Sequence, residues 1–408
     1  MTMAAIIGRI SEVLAKKKSM LAVLALLFAV PFFAPSRYYV ILFAEVLIWA
    51  LLAMSYDLAL GYTGLVSFGH AAMFGVGAYA CAIIFRMSFP FWLAVLAAMA
   101  FGALIGLVFG VLTLRVGGIY YSLVTLAVAE VIFAVFNKWV ELSGGETGLS
   151  VPRPSELRSD LLVYLMFAVA ILVTAILMVV VVRDLIKRSS TKIRIIHSVL
   201  LILFIALLIY SVPSKLDLVS QGSPKDIQTM NIYYVLALVP LVLSYLAASR
   251  IVNSPVGRIF VAIRENEERT RMLGYSIFKY RLISSAFSGL FAGLAGALYA
   301  PFILSISPTS VLSSSVTINV LLYSILGGLG TLVGPMIGAG IITFLANELT
   351  GYVGEYWMFV LGLFYLLVIM FLPYGIMVTW KIKGTSVRRT LKKLFESIRK
   401  PTSKEVSQ

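Results

Sequence analysis

Residues 90–114 read PFWLAVLAAMAFGALIGLVFGVLTL, 25 positions without a charge. About 20 apolar residues cross the hydrocarbon of a bilayer as a helix, because lipid offers backbone N–H and C=O groups no other partner. The same pattern recurs along the chain, bounded by short polar stretches. Membrane segments are expected at 20–35, 38–60, 64–85, 90–114, 116–136, 161–182, 195–212, 231–249, 282–304, 316–329, 331–348 and 356–372. No soluble domain interrupts them. The fold class that follows is all-α: a polytopic transmembrane helix bundle with about twelve membrane segments, some short or broken at glycines. A membrane β-barrel would show short alternating segments instead, and the sequence has none.

Composition agrees. Of the 408 residues, 61% are hydrophobic and 12% charged, whereas soluble domains are about half apolar and a quarter charged. The net charge of +15 would suit nucleic acid, but nothing resembles a nucleic-acid module. The basic residues lie between spans and in the tails, where anionic lipid and the positive-inside bias account for them. The single cysteine, Cys81, excludes an internal disulfide and a Cys/His metal set. Two histidines, His70 and His197, are too few for a metal site built on imidazole.

Loop charge sets orientation. The segment 183–194 carries Arg183, Lys187, Arg188, Lys192 and Arg194 against one acid. The segment 250–281 carries seven basic residues from Arg250 to Arg281, and the tail after 372 nine from Lys381 to Lys404. These segments and both termini are expected in the cytoplasm, in a plasma (cell or inner) membrane. The charge-balanced loop 137–160 and the uncharged 305–315 are expected outside. Arg9 and Lys16 to Lys18 precede an apolar run at Met20–Phe33 that has no evident cleavage site, so an uncleaved first span is expected. Residues 3–15 could lie flat at the interface. The assignment requires 316–348 to cross twice or not at all, and Gly327-Gly328-Leu329-Gly330 breaks that stretch near its middle.

Four segments invite a functional reading. Gly61–Tyr79 holds five glycines in 19 residues with Thr63, Ser67 and His70; small residues serve close helix packing or leave room for a polar solute. In the run Leu114–Glu130, Glu130 is an acid inside an apolar stretch and is expected to face the bundle interior, with a structural or a transport role. Leu142–Leu149 is a glycine-rich outer turn. In Asn253–Ala300, Ser254-Pro255 starts a helix and Gly274 stops it. Between them Arg264 with Glu268, Glu265 with Arg269 and Glu267 with Arg271 stand in i,i+4 register. A self-stabilised surface helix is the plain reading. The following span carries Gly289, Gly293 and Gly296, a close-packing step.

Taken together these segments resemble the permease family of branched-chain amino-acid ABC importers, in its M-type branch. The resemblance covers residues 20–155 and 231–375. It is carried by Gly61–Tyr79, Tyr120–Glu130, Ser143–Leu149, Ser254–Tyr275 and Leu326–Gly338. It implies a passage for branched-chain or related hydrophobic amino acids delivered by an extracytoplasmic solute-binding protein. It also implies two ABC ATPase subunits and a second homologous permease subunit as partners, besides membrane lipid. The family's cytoplasmic loop, Glu-Ala-Ala-x-x-x-Gly, seats on the ATPase. Glu268 and Gly274 have its spacing, while Arg269 and Thr270 replace the alanines. The chain has no GxxxxGK[ST] loop, so no cofactor is expected here, no enzymatic step, and ATP–Mg only on the partners.

The glycine-rich breaks, their small hydroxyls and the intramembrane acid make Gly61, Thr63, Gly64, Ser67, Gly69, His70, Glu130, Gly327, Gly328, Gly330 and Thr331 the candidate solute path. Arg264, Glu265, Glu268, Arg271 and Gly274 become the candidate ATPase contact. The expected organisation is an N-terminus 1–19, a first permease half 20–155, an inserted hairpin 156–230, a second half 231–375 with the coupling segment 254–280, and a basic tail 376–408. Permeases of urea and short amides share these motifs. An ion-coupled secondary transporter using Glu45, Asp57, His70 and Glu130 is the rival from another class. Composition alone leaves a channel open.

Overall fold

The structure is a computed structural model that describes residues 36–113, 116, 118–152, 224–371 and 375–379. The spans expected at 20–35, 161–182 and 195–212 lie outside the described residues, as do most of the hairpin 156–230 and most of the basic tail. The described chain is helical apart from two short strands. The long helices are α1 (Arg37–Asp57), α2 (His70–Arg86), α3 (Phe91–Leu112), α4 (Ile119–Lys138) and α6 (Pro224–Val252). They continue with α9 (Ile277–Ile303), α11 (Ser314–Gly327), α12 (Val333–Val353) and α13 (Trp357–Phe371). Short helices α5 (Val140–Ser143), α7 (Pro255–Glu265), α8 (Glu267–Met272) and α10 (Pro308–Val311) connect them. Seven helical segments are long and apolar enough to cross a membrane, and His70–Arg86 and Trp357–Val368 are shorter apolar helices. The chain is therefore a multi-pass membrane protein. Each expected span within the described residues has its helix.

The described residues form two compact units. The first comprises α1 up to Leu47 and α6 up to Val242; the second comprises Ile48–Val151 and the described residues from Leu243 onward. In the first, Val40, Leu42 and Tyr234 are buried. The second unit holds every candidate site.

Its centre is α9. Of the most apolar window of α9, 72% is buried, against 28% for α3 and 22% for α4. Lipid is as apolar as leucine, so burial of oily side chains does not draw such helices together; close backbone approach and interhelical hydrogen bonds do. The glycines show how. A Cβ on Gly102 would lie 2.4 Å from the Gly289 carbonyl oxygen, and one on Gly106 would lie 2.3 Å from that of Ser285. Gly293 faces Ala98 and Gly77 in the same way, and Gly296 faces Phe74. Hydroxyls fill the remaining polar needs: Ser285 Oγ donates to the Gly106 carbonyl at 2.7 Å and Ser288 Oγ to that of Ser55 at 2.6 Å. The close-packing step read from Gly289 and Gly293 is thus the contact of α9 with α2 and α3.

At one end of this unit the strands Leu149–Ser150 and Ser305–Ile306 pair antiparallel, Leu149 with Ile306 and Ser150 with Ser305. They join the two loops, 137–160 and 305–315, that loop charge assigns to one side. The stretch 316–348 is two helices, α11 and α12, broken at residues 328–332. Two helices parted at the glycines, rather than one long span, is the form that the break at Gly327–Gly330 implied.

Replacing Gly293 by leucine should cost more stability than replacing the lipid-facing Leu104, which is 52% exposed, by alanine. Overpacking costs about 1–3 kcal/mol, and here the obstruction is backbone on both sides. Thermal unfolding of detergent-purified protein should show a lower midpoint for Gly293→Leu, and Leu104→Ala should stay close to the parent.

Candidate functional site: two broken segments joined to a charged helix

The first glycine segment is not a plain span. Helix α1 ends at Asp57 and passes into one π-helical turn, Leu58–Tyr62. Residues 64–69 are irregular before α2 begins at His70. The second break, 328–332, separates α11 from α12. A wide turn of this kind frees backbone groups that must find partners away from water.

The two breaks satisfy each other through a residue that motif reading left to another hypothesis. Asp57 is fully buried. One carboxyl oxygen accepts the Gly330 N–H at 2.7 Å and the other accepts the Leu332 N–H at 2.9 Å. Leu332 has φ +58°, a left-handed backbone that a branched side chain adopts at a cost of about 1–3 kcal/mol. The carboxyl group holds it there. Gly61 must be glycine for the same contact: a Cβ would lie 2.0 Å from Asp57 Oδ1 and 2.4 Å from the Gly330 nitrogen.

A third element closes the cluster. Helix α7 begins with Ser254, whose hydroxyl accepts the Gly257 N–H at 3.4 Å, and with Pro255 at its first turn. Phe260 and Ile263 are buried and seat the helix. One turn after Phe260, Arg264 Nη1 donates to the Gly61 carbonyl. A Cβ on Gly330 would lie 2.8 Å from this nitrogen, and Gly64, at φ +73°, lies against the arginine stem. One side chain of α7 thus touches both broken segments.

The expected single helix from Ser254 to Gly274 is two helices, which corrects the charge-pair reading. Asn266 is extended at φ −158° and caps α8 by accepting the Arg269 N–H at 2.8 Å. Of the three proposed pairs, Glu267–Arg271 is an ion pair at 3.1 Å. Glu267 also binds Arg281 of α9 at 2.7 Å. Arg264 has turned to Gly61 instead of Glu268. Glu265, Glu268 and Arg269 are exposed and make no ion pair among the described residues. Gly274, at φ +86°, ends α8 as expected, and nothing lies within 4 Å of a Cβ built there. Its backbone conformation, not space, requires glycine.

The other candidates separate into packing contacts and open positions. Thr63 Oγ1 donates to the Ala59 carbonyl at 2.6 Å and sits 2.9 Å from Ser284 Oγ. Ser67 Oγ accepts the Gly69 N–H at 3.2 Å. His70 Nε2 lies 2.8 Å from Ser55 Oγ, and a Cβ on Gly69 would strike Phe109. Gly327 packs on the Gly334 backbone, and Gly328 closes against Gly375. Thr331 Oγ1 donates to the Gly328 carbonyl at 2.8 Å and accepts the Gly334 N–H at 3.0 Å. Gly64 is open: with Ser122, Tyr121, Ile119, Leu123 and Arg281 it lines a cavity of about 400 Å³. Glu130 was expected to face the bundle interior. It lies instead on the exposed face of α4, because Ser122, Thr125 and Ala129 take the buried face. An ionised acid on a lipid-facing helix centre costs about 2.5–3.5 kcal/mol or more.

Asp57→Ala should destabilise the protein more than Asp57→Asn. The alanine leaves two buried N–H groups unpaired, at about 1–3 kcal/mol each, while asparagine keeps one carbonyl acceptor. The order of unfolding midpoints in detergent checks this; equal midpoints would mean that the two N–H groups find other partners.

With the geometry in place, comparison with known proteins is direct. The family profile described as "Branched-chain amino acid transport system / permease component" matches residues 38–370. The chain is 27% identical over 367 residues to the high-affinity branched-chain amino acid transport system permease protein LivM of Escherichia coli K12, covering 89% of this chain and 75% of that protein. It is 26% identical over the same shares to the protein of that name from Salmonella typhimurium. A shorter match, 33% identical over 101 residues, covers 24% of this chain and 31% of the ribose import permease protein RbsC of Haemophilus influenzae. No solved structure matches the chain significantly. The family is a transport permease, not an enzyme, and this chain belongs to it as a branched-chain amino acid transport system permease component.

Proposed function

We propose that this chain forms half of the membrane passage of an ATP-driven importer, and that α7 and α8 transmit the closure of a partner ATPase to the two broken segments. The observation that carries the reading is the contact of Arg264 with Gly61. Through it a polar, charged helix pair meets the breaks at 61–69 and 328–332. A packed contact of this kind passes a rigid-body shift from one element to another. ATP and Mg belong to two partner ATPase subunits; a second permease completes the passage, and an external binding protein supplies the amino acid. The relatives' names favour a branched-chain amino acid as cargo.

The exposed end of α8 fits a docking surface for the ATPase. Met272 is 84% and Leu273 70% exposed, beside Glu265, Glu268 and Arg269, which form no ion pair among the described residues. Large apolar side chains ringed by charges are a usual interface composition. Glu268 and Gly274 supply the spacing of the family loop, with Gly274 fixing the turn after the helix. The pairing of strands 149–150 and 305–306 supports one side for their two loops, and loop charge then assigns the strands outside, with α7, α8 and both termini cytoplasmic.

Substituting Arg264 by alanine should separate hydrolysis from transport. In the assembled importer, ATP hydrolysis should stay near the parent rate while leucine uptake falls by about 5- to 150-fold, the range of a typical coupling energy. Parallel loss of both would make Arg264 a structural residue. The double variant Glu268→Lys, Gly274→Leu should lose ATPase association on co-purification; normal uptake in it would remove the docking assignment. A reporter that fluoresces only in the cytoplasm, fused after Gln408, should be bright, and a dark fusion with intact membrane expression would reverse the orientation.

A further inference from the structure

We propose that Glu130 is the cation-recognising group of the solute path, taking the ammonium of the amino acid on the open face of α4; the proposal rests on the importer reading above. Three observations meet there. First, Glu130 lies eleven residues from Ile119, the first residue of the 20-residue helix α4. That is about 16 Å at 1.5 Å per residue, so the acid sits near mid-membrane. Second, it is exposed and makes no hydrogen bond or ion pair among the described residues. A charged group at that depth faces water or an opposite charge, not lipid tails.

Third, Glu130 shares a lane with the cavity. At 100° per residue, Ile119 and Leu123 each fall within about 20° of Glu130 around the helix axis. Both line the cavity of about 400 Å³ that Gly64, Ser122 and Arg281 also line. The same stripe of α4 thus walls the cavity near the coupling helices and bears the acid two to three turns further along. Val131, 63% exposed, flanks it. An apolar lane with one anionic stop suits a solute that has an aliphatic body and one cationic group. The ammonium of a branched-chain amino acid pairs with Glu130, and its side chain slides along Ile119 and Leu123. At the cavity end Arg281, whose guanidinium already binds Glu267, has a buried Nε without a hydrogen-bond partner among the described residues. A neutral sugar would have no use for the charge of Glu130.

The test uses the complete importer in proteoliposomes: this chain, its partner permease, the ATPases and the binding protein, with L-leucine as the probe. Glu130→Gln should lower ATP-dependent leucine uptake by about tenfold or more, with Glu130→Asp retaining most of it. Subunit co-purification and ATP hydrolysis stimulated by the binding protein should be unchanged. Uptake by Glu130→Gln equal to the parent overturns the proposal. So does loss of the partner permease on purification, which would make Glu130 a subunit contact. Absence of leucine uptake by the parent importer would defeat the importer reading itself. Independently of uptake, Glu130→Cys in a Cys81→Ser background should react with a cationic methanethiosulfonate faster than with a bulky apolar maleimide, and leucine should slow the reaction. A cysteine that reacts only with the apolar reagent faces lipid and overturns the assignment.

Discussion

A bundle that interrupts two of its membrane helices must find partners for the backbone groups it frees, and Asp57 is where the second unit meets that demand. Lipid supplies no donor or acceptor, so irregular backbone survives only against protein or water. The two N–H groups of Gly330 and Leu332 end on one carboxyl group. That group reaches them only because the chain beside it widens into a π turn and Gly61 has no side chain in the way. The strained Leu332, the glycines at 61 and 330, and the position of α7 on top of them are consequences of the same contact.

If the importer reading holds, the contact would let this region move as a unit. Close packing makes an interior bistable rather than continuously deformable. Between α2, α3 and α9 the backbones touch through glycine and serine, with no flexible side chain to absorb a shift. In the proposed coupling, a displacement of α7 passes through Arg264 to the backbone of Gly61 and on through Asp57 to the loop before α12. Ion pairing of Glu267 with both Arg271 and Arg281 ties α8 to α9, so the short helices do not swing freely between their neighbours.

The parts of this fold visible in the sequence are those set by composition or by short-range chemistry. Apolar runs located the described spans, Gly327 to Gly330 marked the break, and Ser254-Pro255 and Gly274 marked helix ends that the structure reproduces. Asn266 was legible as well: an Asx residue followed by Glu267 and Glu268 is an N-cap with acids in the first turn. The i,i+4 register of the charges competed with that reading, and the local hydrogen bond to Arg269 decided it. The Asp57 contact joins residues more than 270 positions apart, and no local pattern announces it. Glu130 was misplaced for a different reason. In a helix that is apolar all round, hydrophobic periodicity does not distinguish faces. The small residues Ser122, Thr125 and Ala129 were the better guide, because in lipid small residues pack inward.

The distribution of polar groups then separates two roles that the sequence had merged. Thr63, Ser67 and Thr331 spend their hydrogen bonds on neighbouring backbone or hydroxyls within a few ångströms, whereas His70 meets Ser55 through Nε2 and keeps a buried Nδ1 without a partner among the described residues. A group already satisfied in a close-packed interior gains nothing from a passing solute unless that packing opens. Gly64, Ser122 and Arg281 instead border open space, and Glu130 continues their side of the bundle. On the proposed reading the glycine breaks act as the hinge and its fastening, while the surface along which a polar solute keeps its hydrogen-bond partners is the outer face of α4. A second permease placed against that face would close the lane without covering the hinge. In such an arrangement the moving joint stays dry and packed, and the wet surface lies beside it.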